Sequence, residues 1–247
     1  MIKGIFHQGS GLGNQLFRYV ATRVLALDKG FVFGMENAHL FKGHFFSDFN
    51  YGSVDCDIQI YKSFREKKVV ENGIDIRGYD PEINFVEDMT EIDGEFQDPR
   101  YFEHRLDEVR EWLKVEPLEM PEDVCVIGFR GGEYVGVHDL FLTKDYWDDA
   151  IAMMKEINPN MRFDVHTDDP ETARRFFPNF PIVHDMAMNW RSVRYAKYLI
   201  IANSSFYILP ALLNECVKLT IAPRYWARRN IGIWALPQNY YKQFKYI

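Results

Sequence analysis

The stretch Val124–Val135, VCVIGFRGGEYV, decides how the rest of the chain is read. It begins as an apolar strand and runs out into a glycine turn, with Arg130 and Glu133 at the exit. Glycines at a strand end let the backbone approach a ligand closely. A guanidinium there offers a rigid fork of donors that matches a phosphate. Glu133 is placed to take a proton or to hold a sugar hydroxyl. The plainer reading is a surface loop whose arginine and glutamate form an ion pair, and spacing alone does not displace it.

Downstream, strands and helices alternate. Thr143 or Asp145 caps a predicted helix carrying Trp147, Ala150, Ile151, Met154 and Ile157 at apolar positions, ended by Asn158 to Asn160. Met161–Val165 reads as a strand that exits into His166, Thr167, Asp168 and Asp169. Asp169 precedes Pro170 and fits a helix N-cap; Asp168 has no such structural duty. Pro181–His184 is a further strand, and Asn189–Ile201 reads as a helix. Then Asn203, Ser204, Ser205 and Phe206 lead into another helix, whose first N–H groups and dipole make an anion site. The plainer reading is that Ser204 or Ser205 only caps. Pro210 predicts a kink or a later start for that helix. Lys218–Ala222 is a last strand. This alternation predicts a parallel sheet covered on both faces, with ligands at the carboxyl ends of its strands. Arg130, Glu133, Asp168, Ser204 and Ser205 all follow predicted strands or open a helix, so one crevice can gather them.

Upstream, Ile2–Phe6 is a short strand followed by the glycine-rich turn 7–14, HQGSGLGN. Leu12, Leu16, Tyr19, Val20, Val24 and Leu27 keep a helical period, with Asn14 as N-cap. Phe31–Met35 is a second strand ending at Glu36, which completes a βαβ unit. The glycine spacing is not that of a dinucleotide fingerprint with Glu36 on a ribose. It suits instead one wall of a cleft into which Asn14 and Gln15 reach. His39, Phe41, His44, Phe45, Phe46, Phe49 and Tyr51 either line an acceptor site or form a satellite core, with the second favoured. Asp98 and Pro99 open a helix running to about Lys114. Two prolines within 115–122 and a loss of periodicity mark a domain boundary, giving domains 1–116 and 117–247.

The 247 residues are 47% apolar and 26% charged, with a net charge of -7. That excludes a disordered chain and a general nucleic-acid binder. Three cysteines with no CxxC, and histidines without ligand spacing, give no metal motif and suit a reducing compartment; Cys125 and Cys216 are expected to be buried thiols. No signal core or bilayer-length apolar run is present, which predicts a soluble, cytoplasmic chain. The basic, aromatic stretch from Arg224 to Tyr246 is expected to pack back across the domains; its other reading is peripheral membrane contact.

These residues resemble the α-1,2-fucosyltransferase family, glycosyltransferase family 11, in order and over nearly the whole chain. Gly11–Phe17 with Tyr19 resembles the family's N-terminal GLGNQ-F-Y signature. Gly94–Gln97 with Tyr101 and Phe102, Thr167–Asp169, Ile201–Phe206, and Ile221–Pro223 with Trp226 are similar to its later segments. The resemblance implies two Rossmann-like α/β domains facing a cleft, the GT-B arrangement, with no metal or cofactor and with GDP-fucose as donor. Under it Arg130 clamps the diphosphate, Asn203, Ser204, Ser205 and Phe206 bind phosphate, Asp168 or Asp169 reads the guanine or ribose edge, and Asn14 faces the sugar. The acceptor is an oligosaccharide or a glycolipid-linked sugar held by the N-terminal domain. The expected reaction is an inverting transfer with Glu133 as base.

The family's H-x-R-R-G-D is here 128–133, GFRGGE. A charge-assisted hydrogen bond contributes about 1.5–3 kcal/mol, so the missing second arginine weakens donor binding by about tenfold or more unless Arg224, Arg228 or Arg229 replaces it. Two other readings stand beside this one. One is a silent relative that binds nucleotide or glycan without turnover; the other is a metal-dependent transferase using Asp168 and Asp169.

Overall fold

A computed structural model describes residues 1–53, 60–67, 69–71, 74–76, 78–225 and 241–247. Arg228, Arg229, Trp226 and Cys56 lie outside these. The chain divides into two compact units, Met1–Val115 and a second that starts at Glu116 and includes Tyr241–Ile247.

The first unit is built on β1 (Ile2–Ile5), α1 (Leu12–Lys29) and β2 (Phe33–Glu36), the expected βαβ unit. Two more strands, β3 (Lys62–Arg65) and β6 (Thr90–Asp93), complete a parallel sheet in the order β2-β1-β6-β3. A small hairpin, β4 (Val69–Glu71) with β5 (Ile74–Ile76), lies between them in sequence. Helix α1 starts earlier than predicted. Gly11, not Asn14, is its N-cap, and Gly30 closes it in the left-handed region at φ 69°. The aromatic run 41–51 is satellite core: Phe41 stacks on Phe49 at 4.0 Å and on Phe6 at 5.3 Å, and Phe49 meets Tyr19 at 4.3 Å. The helix expected from Asp98 to Lys114 is interrupted. Asp98 caps a single 3-10 turn, Pro99–Tyr101, and α2 spans only Leu106–Trp112.

The second unit holds β7 (Val124–Phe129), α3 (Lys144–Ile157), β8 (Arg162–Thr167), α4 (Pro170–Phe176), β9 (Ile182–Val183), α5 (Met186–Tyr195), β10 (Tyr198–Ile201), α6 (Ser205–Leu213), β11 (Leu219–Ala222) and β12 (Phe244–Tyr246). Its six described strands are all parallel, in the order β12-β11-β10-β7-β8-β9. Numbered within the unit, that is 6-5-4-1-2-3, the doubly wound order whose direction reverses between the first and fourth strands. All six residues of β7 are buried, as a central parallel strand requires.

Three local expectations change. The helix predicted over 189–201 ends at Tyr195, and Tyr198–Ile201 is a central strand, because a four-residue apolar run carries no period that separates helix from strand. Helix α6 begins at Ser205 with Pro210 inside it, so Phe206's carbonyl lacks its helical donor. Cys125 is buried, but Cys216 is exposed in the turn after α6. Among the described residues no helix is long and apolar enough to cross a membrane. The described end of the chain, β12, pairs with β11 in the second unit's own sheet.

His166 on β8 is buried, with Nδ1 3.0 Å from Asn189 Oδ1. Burial pushes its imidazole down from 6.5 to about 4, and the Asn189 bond only partly opposes this. The unfolded chain binds the proton first, so this contribution is complete above pH 6.5 and is lost as pH falls through about 4. Over that window about 3 kcal/mol is at stake, at 1.36 kcal/mol per pH unit. Urea unfolding should show this fall, and His166→Gln should flatten it. A wild-type curve no steeper than the variant's would remove His166 as the cause.

Candidate functional site

The reversal of strand order falls between β7 and β10, which pair in register from Tyr198↔Cys125 to Ile201↔Gly128. The ladder continues one step further, with Ala202 N–H donating to Gly128 O at 2.9 Å. Arg130 at the end of β7 and Asn203 and Ser204 at the end of β10 therefore leave the sheet side by side. In open sheets this is the crevice where ligands bind.

Arg130 does not point into bulk water; its side chain is 23% exposed. Nη1 lies 2.6 Å from Asp168 Oδ2 and Nη2 lies 2.8 Å from Glu133 Oε1. Burial works against its charge, but the carboxylates of Asp168 and Glu133 more than offset this and raise its pKa. Its Nε is buried and meets no acceptor among the described residues. Tyr134 joins the two strand ends: its ring lies under the guanidinium at 5.3 Å, and its hydroxyl is 3.5 Å from Asn203 O. Tyr207 on α6 adds a second tie, with its hydroxyl 2.8 Å from His166 O and 3.1 Å from Phe129 O.

The two aspartates do structural work. Asp168 accepts from Gly131 N–H at 3.0 Å besides holding Arg130. Asp169 caps α4 through Thr172 N–H at 3.0 Å and accepts from Gly132 N–H at 3.3 Å. Burial raises the Asp169 carboxyl, but the bonds from Thr172 and Gly132 bring it below its ordinary value. The arrangement requires two glycines. A Cβ at 131 would sit 2.6 Å from Asp169 Cβ, and one at 132 would sit 2.4 Å from Asp168 Oδ2. Gly132 also has φ +44°. A second arginine at 131, as in the family motif, has no room beside Asp169. Among the described residues no three His, Cys, Asp or Glu side chains gather as metal ligands.

The structure thus brings Arg130, Glu133, Asp168 and Asp169 together, with Asn203 and Ser204 next to them. Glu133 is 75% exposed and paired with Arg130, so it belongs with the guanidinium. One detail of the expected anion site changes. Ser204 N–H donates to Ala202 O at 2.8 Å, so it is spent within the loop. Ser205 and Phe206 occupy the first two positions of α6, and the Phe206 amide there has no acceptor within the helix. Asn203 is anchored by Nδ2 to Leu140 O at 3.0 Å. Asn14 is in the other unit, where its Oδ1 accepts from Gln97 Nε2 at 3.0 Å. Arg224 is exposed and its N–H donates to Ile247 O. Sequence reading missed Tyr134 and Tyr207, which bind across elements and leave no local signal.

The second unit is a doubly wound α/β sheet with a crevice at its strand-order reversal, and comparison with known proteins places the chain among glycosyltransferases. No family model matches the chain. It is 26% identical over 263 residues to an α-1,2-colitosyltransferase of Escherichia coli, covering 89% of this chain and 90% of that protein. The chain is a divergent relative of that enzyme. Among solved structures, the E. coli heptosyltransferase WaaC with ADP aligns with a TM-score of 0.49 and 13% identity, covering 100% of this chain and 92% of that one.

Gly131→Ala and Gly132→Ala should each destabilise by about 1–3 kcal/mol, the usual cost of overpacking. Denaturant unfolding measures this. Unchanged midpoints would show that the aspartates do not hold the turn as described.

Proposed function

We propose that the chain transfers a sugar from a nucleoside diphosphate to a sugar hydroxyl, with inversion and without a metal. The two units are read as the halves of a GT-B enzyme, the second holding the donor and the first the acceptor. The observation that carries this reading is Arg130, held between carboxylates at the strand-order reversal of a doubly wound sheet. The acceptor oxygen attacks the anomeric carbon, and charge grows on the departing diphosphate. Arg130 and the Phe206 amide at the start of α6 are fixed donors for that charge, which is where most of the rate comes from. Asp168 and Asp169 hold the loop that presents Arg130, with the ribose or guanine as their further partner. Glu133 is the exposed arm on Arg130, and an arriving phosphate competes with it for Nη2.

GDP-fucose is the proposed donor, on the motif resemblance. The α-1,2-colitosyltransferase likeness makes nucleotide-activated colitose the second donor to test. The acceptor is a glycan, free or lipid-linked.

The test is calorimetry with GDP together with GDP release from GDP-fucose over a panel of acceptor sugars. Arg130→Ala should weaken GDP binding by about tenfold or more, the loss of a charge-assisted bond, and should abolish release. Wild-type affinity and turnover in that variant would overturn the assignment. Tight GDP binding with no release from any donor would identify a silent relative, the reading that the single arginine also fits.

A further inference from the structure

Unit one carries a histidine–carboxylate pair that no part of the donor site uses. His7 is two residues past β1, and Asp93 is the last residue of β6, the neighbouring strand. His7 Nε2 lies 2.8 Å from Asp93 Oδ1, with side chains 41% and 33% exposed. Both residues sit at the carboxyl ends of adjacent parallel strands, the edge where open sheets place ligands. Asn14 and Gln97 meet near the same edge.

An exposed ion pair contributes little by itself, but this one is built from below. Arg18 on α1 is buried and uses three donors on the segments that follow His7 and Asp93. Nη1 holds Ser10 Oγ at 2.8 Å, Nε holds Gly94 O at 2.7 Å, and Nη2 holds Glu95 Oε1 at 2.7 Å. The turn over His7 is closed by Ser10 N–H donating to His7 O at 3.2 Å, with Gly9 at φ 80°. Glu66 N–H donates to Asp93 O at 2.9 Å, and Glu66 Oε2 accepts from Glu95 N–H. Burial raises the Asp93 carboxyl, but His7, Arg18 and Arg65 together bring it below its ordinary value, so it is an anion at neutral pH. Further back on the strands Lys3 pairs with Glu36 and with Glu91, and Arg65, in register with Asp93 on β3, is a further charge at this edge.

We propose that His7 is the general base that activates the acceptor hydroxyl, with Asp93 as its positioning residue. This rests on the glycosyltransferase reading above. Asp93 takes the Nε2 proton in a hydrogen bond and leaves the lone pair of Nδ1 for the acceptor. The acceptor oxygen forms its bond to the anomeric carbon, its proton passes to Nδ1, and the bond from that carbon to the diphosphate oxygen breaks. The electron pair leaves with the nucleoside diphosphate, and Asp93 stabilises the imidazolium. An orienting carboxylate behind an imidazole base is a combination that recurs on unrelated folds.

The experiment is a kcat and KM profile against pH for the wild type, His7→Asn, Asp93→Asn and Glu133→Gln, with GDP affinity measured in parallel. His7→Asn should lower kcat by about 100-fold or more, the usual worth of general-base catalysis. It should keep wild-type GDP affinity and lose the acid limb of the profile. Asp93→Asn should lower kcat at unchanged GDP affinity. If His7→Asn fails to fold, imidazole rescue of His7→Ala gives the same readout. Wild-type kcat and limb in His7→Asn, or loss of the limb in Glu133→Gln alone, would overturn the proposal while leaving the transferase reading intact. A wild-type protein that turns over no nucleotide sugar would overturn both.

Discussion

The parallel pairing of β7 with β10 is the constraint on which the second unit rests. The two strands are the first and fourth of the unit, brought together by crossovers on opposite faces of the sheet. Their adjacency makes the ends of two distant segments, 128–133 and 201–206, neighbours. Tyr146 from α3 secures the pair from one side, with its hydroxyl 2.7 Å from Ile201 O. Tyr207 from α6 secures the end of β7 to the end of β8. Without that order, the glycine turn after β7 is only a surface loop.

Arg130 then shows how a charge is kept near a crevice without neutralising its use. Asp168 is the less exposed of its two carboxylate partners at 31%, and Glu133 at 75% is the more exposed. Asp168 meets the guanidinium on its half-buried side and also accepts from Gly131 N–H, so it pins the guanidinium where it is. The exposed glutamate exchanges with water and with anions far more easily. The cost of this arrangement falls on the backbone. Residues 131 and 132 have to be glycine, because the aspartates that receive their N–H groups also fill the space a side chain needs. Arg130 and the two glycines that follow it are one structural solution.

Much of this was legible in the residues. The βαβ start, the alternation downstream, the caps at Asp98 and Asp169, and the position of Arg130 all follow from local rules of period, capping and turn chemistry. Other parts were not. Tyr198–Ile201 looked like the tail of a helix because its four apolar residues fit either period. Ser204 looked like a phosphate donor, but its N–H turns back on Ala202. His7 and Asp93 are separated by 86 residues, and neither belongs to a recognisable spacing. Arg18 carries no signal in the sequence, although it is buried on α1 and bonds to the segments that follow both.

By itself the sequence determined the class of fold, the strand that carries Arg130 and the presence of a glycine turn after it, since each is legible within a few residues; that the turn has to be glycine follows only from Asp168 and Asp169 packing against it. Tertiary structure alone decided which strand stands beside which, and so which polar groups meet. Pairings such as Asp168 with Arg130, or His7 with Asp93, depend on crossovers that bring distant segments together, and no local pattern of residues encodes that distance.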